Sequence, residues 1–221
     1  MTTSDNNLDD KPNNDNSWAA YYDKVANLEA HNTLLFALKQ FAKEEKLPTL
    51  ALDLGCGAGR DSKAMLEAGW SVIAIDKEAD AIAKLLADLD GTTDGKLRAF
   101  CQSLESTDYP RADLINAGMC LPFLSRKSLM IEVRRILLAL RRRGRFSGHF
   151  IGPDDSWAQH EQSSPNRISA FNEQELLSLF SLNQASLKTE IELFTENKSE
   201  GTDAAGNTKI WHIFEVVAKV T

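Results

Sequence analysis

Three glycines at alternate positions, Gly55, Gly57 and Gly59, follow the apolar run Leu50 to Leu54 and precede a segment, Asp61 to Ala68, that can start a helix. A strand, a tight turn and a helix satisfy that pattern. Without a Cβ the turn can press its backbone against a ligand, and the free N–H groups of the incoming helix point at whatever lies there. The stretch is read as a nucleotide-handling strand-turn-helix.

The rest of the 221-residue chain is consistent with one domain built on this unit, and 43% hydrophobic content suffices for a full core. Residues 1–16 hold five Asn, four Asp and one large apolar residue, Leu8, and are expected to form a disordered tail; the domain is expected over 17–221. From Ser17 the spacing of Trp18, Tyr21, Tyr22, Val25 and Leu28 predicts a helix, and Leu34, Leu35, Leu38 and Phe41 predict a second before Pro48. Strands are expected at Ser71 to Ile75, Leu97 to Cys101, Ala112 to Asn116 and Arg145 to Ile151. Helices are expected over Ala79 to Leu89, with Gly91 and Gly95 at its exit, from a Ser125 cap through Leu140, and near Asn172 to Phe180. Two last runs, Ser186 to Phe194 and Lys209 to Val220, separated by a polar loop with Gly201 and Gly206, read as an antiparallel hairpin at a sheet edge. The alternation argues for a mostly parallel sheet with helices on both faces, whose ligands sit over the carboxyl ends of the strands where strand order reverses.

A net charge of -7 argues against sequence-independent binding to a polyanion. No run approaches the roughly 20 apolar residues of a bilayer span, and the acidic start lacks the pattern of a signal peptide. Cys56, Cys101 and Cys120 match no disulfide framework or zinc spacing. A cytoplasmic protein without membrane or metal chemistry is the expectation.

Two nucleotide folds use such a turn. A dinucleotide dehydrogenase prefers Gly-x-Gly-x-x-Gly, but Arg60 stands at the last position and an acid, Asp53, two residues before the first glycine. An acid there would repel a pyrophosphate and suit an ammonium or sulfonium. Asp53-Leu54-Gly55-Cys56-Gly57-Ala58-Gly59 resembles the first motif of the class I S-adenosylmethionine-dependent methyltransferases. Asp76, about 20 residues further on, falls where that family's ribose carboxylate stands. Gly59-Arg60-Asp61-Ser62, Gly69-Trp70-Ser71-Val72, Leu121-Pro122-Phe123, Gly144-Arg145-Phe146-Ser147-Gly148 and Trp211-His212-Ile213-Phe214 look like the branch with tellurite-resistance-type and related small-molecule methyltransferases. One departure is Arg141-Arg142-Arg143-Gly144 where Pro-Gly-Gly is usual.

The resemblance implies an α/β, three-layer Rossmann-like fold: a seven-stranded sheet in the order 3-2-1-4-5-7-6 with strand 7 antiparallel. It implies S-adenosyl-L-methionine as cofactor, a small-molecule acceptor, and in-line methyl transfer. Cofactor contacts are implied for Asp53, Gly55, Cys56, Gly57, Gly59, Asp76, Lys77, Ser103, Leu104, Asn116 and Ala117. The absence of Asn/Asp-Pro-Pro-Tyr/Phe at Asn116-Ala117-Gly118-Met119 argues against adenine-amine or glutamine-amide acceptors.

Beyond the cofactor, each candidate has a chemical and a structural reading. His149 is the best general-base candidate, its ordinary pKa being near neutrality, or else a packed strand histidine. Asp155 and its neighbour Asp154 face a cationic substrate or make a capped turn. Trp18 and Tyr22, with Tyr21, sit over the substrate on a lid helix or pack in the core. Cys120 meets a soft acceptor or is a small buried hydrophobe. Arg134, Arg135, Arg141, Arg142, Arg143 and Arg145 form a face for an acidic partner or RNA, the alternative function being cofactor-linked binding without turnover, or else they are a solvated helix face.

Overall fold

In the computed structural model the described residues are 28–89, 93–160, 168–181, 188–202 and 206–221. They form α1 (Asn32–Lys43), β1 (Leu50–Leu54), α2 (Arg60–Glu67), β2 (Ser71–Asp76), α3 (Ala79–Asp88), β3 (Leu97–Cys101), β4 (Ala112–Ala117), α4 (Arg126–Ala139), β5 (Leu140–Ile151), α5 (Ser156–His160), α6 (Glu173–Phe180), β6 (Thr189–Thr202) and β7 (Thr208–Val220). Short 3-10 turns stand at Leu104–Ser106 and Leu121–Phe123. The expected tail, the helix positions Trp18, Tyr21, Tyr22 and Val25, and Gly91 lie outside the described residues.

Seven strands make one sheet in the order β3-β2-β1-β4-β5-β7-β6, as the resemblance implied. β1 pairs in parallel with β2 and β4, and β7 runs antiparallel to both β5 and β6. Strand alternation sends successive side chains to opposite faces. Leu52, Leu54, Ile73, Ile75, Ile115, Phe146 and Phe150 therefore pack with Leu129, Val133 and Ile136 of α4 and Phe180 of α6. Ala51, Val72, Ala74 and Leu114 pack on the other side with Leu34 and Phe41 of α1, Met65 of α2 and Leu85 of α3. Three layers result.

Side-chain caps fix the starts of α4 and α6. The Ser125 side chain accepts from the Ser128 N–H, and Asn172 and Glu175 form a reciprocal capping box. Among the described residues no helix is long and apolar enough to cross a membrane.

Two boundaries differ from the sequence reading. Arg141 to Arg143 are not a turn before the fifth strand; β5 begins at Leu140 and carries them through a register shift opposite Ala112 and Leu114. Asp113 holds that stretch in place through Arg141, at 2.7 Å. Gly201 is not in the loop of the hairpin but inside β6, where it pairs with Lys209. Polar composition marked those residues as loop, but the end of the ribbon past the sheet buries Lys209 and His212 where a strand core would carry apolar residues, so it has no apolar alternation to show.

Candidate active site

Register places the site. Asp53 of β1 lies opposite Asn116 of β4, which lies opposite Ser147 of β5, so three polar side chains stand in a row across adjacent strands on the face covered by α2. Ser147 Oγ donates to Asn116 Oδ1 at 2.8 Å, and Asn116 Nδ2 donates to Asp53 Oδ1 at 2.9 Å and to Asp61 Oδ2 at 2.8 Å. Ser62 Oγ donates to the other Asp53 oxygen at 2.6 Å. Every member is buried, and a network in low dielectric holds its geometry because an unpaired member would be costly.

Above the row runs the glycine turn, with φ of +64° at Gly55, +52° at Gly57 and +90° at Gly59. All three lie in the left-handed region that side chains disfavour. A Cβ on Gly55 would fall 2.2 Å from Cys120 Cβ, and one on Gly59 would fall 2.2 Å from Leu85 Cδ1. Asp76, at the end of β2, closes the turn: its Oδ2 accepts from Gly57 N–H at 2.8 Å and its Oδ1 from Glu78 N–H at 3.0 Å. The strand-three end joins through Gln102 N–H, which donates to the Asp76 carbonyl at 2.8 Å, so Ser103 and Leu104 begin just beyond it.

The structure thus brings Asp53, Gly55, Cys56, Gly57, Gly59, Asp76, Asn116 and Ala117 to the carboxyl ends of β1, β2 and β4. Lys77 is exposed, with its ammonium 3.6 Å from Glu78. Asp53 departs from its expected posture. It is 1% exposed with both oxygens bonded, so it supports the turn from below instead of opening to a ligand ammonium. Burial, then the charge of Asp61, pushes its carboxyl up to about 7.

Two further expectations are corrected. Asp155 does not face a substrate: it is fully buried, its Oδ1 2.7 Å from Lys209 Nζ, while its Oδ2 accepts from His212 N–H at 3.0 Å. The Lys209 ammonium lies between the rings of Trp157 and Trp211, 3.5 and 3.6 Å from their centroids, so this pair locks α5 onto β7. His149 lies in the core of β5 under the start of α1, and burial lowers its pKa to about 3. That removes the near-neutral proton affinity on which its candidacy as general base rested. Trp18 and Tyr22 lie outside the described residues.

The arginine face is largely consumed internally. Arg135 bonds Glu132, Arg141 bonds Asp113, Arg143 reaches Glu44, and Arg145 is fully buried between Glu44 and Glu192. Sequence reading missed Asp61, Ser62 and Ser147 as members of the network, and His31, whose ring contacts Asp61. Asp61, Ser62 and Ser147 stood within stretches that carry the family resemblance but had no role read from them; His31, 30 positions from Asp61, carried no local signal.

A glycine turn at the point of strand reversal, closed by a carboxylate from the next strand, in a 3-2-1-4-5-7-6 sheet with an antiparallel seventh strand, defines the class I S-adenosylmethionine-dependent methyltransferase fold. Residues 51–144 match the family model described as "Methyltransferase domain". Among solved structures it is similar to TehB from Haemophilus influenzae, with a TM-score of 0.70 and 20% identity over 92% of this chain. The chain spans 66% of that protein. It is also similar to the 1,6-didemethyltoxoflavin-N1-methyltransferase of Burkholderia thailandensis, solved with 1,6-didemethyltoxoflavin and S-adenosylhomocysteine: TM-score 0.60, 22% identity, 92% of this chain and 84% of that one. A third is the magnesium protoporphyrin IX methyltransferase of Synechocystis PCC 6803 with S-adenosylhomocysteine: TM-score 0.67, 13% identity, 93% and 94%. No curated protein sequence matches the chain.

Proposed function

We propose that this protein transfers the methyl group of S-adenosylmethionine to a small-molecule acceptor. One observation carries the reading: the buried Asp76 carboxylate grips the glycine turn through the Gly57 N–H at the point where strand order reverses. The residues present fit the cofactor. Gly55 has no room for a Cβ against Cys120, so the turn packs by its bare backbone, and Asp76 stands beside it with acceptor oxygens suited to ribose hydroxyls. The neighbours solved with S-adenosylhomocysteine support the same cofactor here, and their small-molecule acceptors support the acceptor class.

When bound, the cofactor supplies a methyl group on a sulfonium that is already a good leaving group. The protein's part is to align and to exclude water. Gly55, Gly57 and Gly59 would shape the floor, Asp76 with Ser103 and Leu104 would hold the sugar and base side, and Asn116 with Ala117 would flank the reacting end. Asp53, Ser62 and Ser147 keep Asn116 from turning, as each of its polar atoms is already bonded.

Titration calorimetry with S-adenosylhomocysteine tests the reading. The wild type is expected to bind, and Asp76→Ala to lose about 1.5–3 kcal/mol, the worth of a hydrogen bond to a charged group. Absence of binding by the wild type would end the proposal.

A further inference from the structure

The chain leaving β4 passes beneath a polar pair that the cofactor reading does not use. His31, at the N-cap of α1, and Asp61, in the first turn of α2, meet over Gly118, where a Cβ would fall 2.8 Å from Asp61 Oδ2 and 2.9 Å from His31 Nδ1. β1 and β4 flank the reversal of strand order, so the pair stands at the mouth of the crevice in which ligands of this architecture lie. The His31 side chain is 22% exposed there.

Asp61 grips this histidine twice, accepting from His31 N–H at 3.0 Å and facing Nδ1 at 2.8 Å, and it also accepts from Asn116 Nδ2. Burial acts to raise its pKa, but the bonds from His31 outweigh it and hold the carboxyl below its ordinary value. An ionised carboxylate only accepts, so Nδ1 carries the donated proton and Nε2 is the ring nitrogen left to face Arg60. The groups facing that imidazole are Asp61 and Arg60 from α2 and His149 from β5. Arg60 approaches Nε2 at 3.3 Å, a long contact from a side chain whose Nε is bonded to the Glu29 carbonyl. His149 lies with its ring centroid 4.8 Å away, tilted by 54°, as an uncharged wall. Its Nδ1 has no hydrogen-bond partner among the described residues.

We propose that His31, oriented by Asp61, takes the proton from the nitrogen, oxygen or sulfur of a protic small-molecule acceptor as that atom is methylated. The inference rests on the methyl-transfer reading above and deepens it. The acceptor's lone pair forms the new bond to the methyl carbon while the carbon–sulfur bond breaks, its electron pair going to sulfur. The acceptor's proton passes to Nε2, where it replaces the long Arg60 contact. Asp61 balances the resulting imidazolium, which returns the proton to solvent.

The test compares the wild type with His31→Gly and Asp61→Asn. Label transfer is followed from methyl-labelled S-adenosylmethionine to deproteinised cell extract supplemented with a thiol, a phenol and an aromatic amine, and S-adenosylhomocysteine affinity is measured in parallel. His31→Gly is expected to lose about 100-fold or more in transfer at neutral pH, the range of general-base catalysis, with cofactor-product affinity kept within about threefold. Added imidazole is expected to restore part of the rate, and the wild-type rise of rate with pH is expected to vanish in the variant. Asp61→Asn is expected to move the rate in the same direction. Retained transfer in His31→Gly, no recovery with imidazole, or a parallel loss of affinity would overturn the assignment. A wild type that binds no S-adenosylhomocysteine, or binds it and labels nothing, would instead remove the methyl-transfer reading beneath it.

Discussion

At the residue scale, the site is a case of buried carboxyl groups held by hydrogen bonds. Asp53 holds a proton to about pH 7 because it is buried beside Asp61, whereas an unfolded chain releases it near the ordinary carboxylate value of about 3.9. Its raised pKa contributes stability that is whole below the unfolded value and is lost as pH rises through about 7. Asp53→Asn is therefore expected to flatten the fall in urea-unfolding stability between weakly acid and alkaline pH; a variant that falls as steeply as the wild type would refute it. Gly55 carries a second prediction. With φ at +64° and Cys120 Cβ 2.2 Å from a built Cβ, Gly55→Ala is expected to cost about 1–3 kcal/mol or more, read from the same unfolding curves.

At the element scale, one buried side chain ties α1 to the sheet. Arg145 of β5 is fully buried, bonds Glu192 of β6 at 2.6 and 2.8 Å and Glu44 after α1 at 2.5 Å, and lies over the Phe41 ring at 4.6 Å. Removing it leaves Glu44 and Glu192 to share the Lys219 ammonium, 2.6 and 3.8 Å away, so Arg145→Ala is expected to destabilise by up to about 3–5 kcal/mol in chemical denaturation. Hydrogen bonding to Arg145 lowers Glu44 to about 2, so its contribution is complete above the unfolded carboxylate value and disappears as pH falls toward 2. Glu44→Gln should show less acid-dependent loss over that window. Because α1 also carries His31 to the site, loosening this tie is expected to disturb the site as well as the fold.

At the scale of the whole molecule, a ligand bound only by the folded state stabilises all of it. S-adenosylhomocysteine at about 100 times its dissociation constant is worth about 2.7 kcal/mol, which for a domain of this size raises the melting temperature by about 5–10 °C. Differential scanning fluorimetry checks this, with Asp76→Ala expected to show a smaller shift at equal concentration. The internal pairing of Arg135, Arg141, Arg143 and Arg145 adds to a net charge of -7, so weak RNA association is the expectation for the surface as a whole.

Local sequence determined the strands and helices that have their own signals: the apolar run into three glycines, the helical stripe of Leu34 and Phe41, the caps at Ser125 and Asn172. With the motif resemblance, these sufficed for the order of the sheet. Alternation and glycine spacing act over a few residues, which is the range at which a sequence can be read directly. Tertiary structure decided which polar residues share a site. Only the register of β1, β4 and β5 aligns Asp53, Asn116 and Ser147, and only the packing of α1 brings His31 to Asp61. It also turned Asp155 and Arg145 inward, because a charged side chain is buried where a partner from a distant strand neutralises it, and distance along the chain carries no trace of that partner.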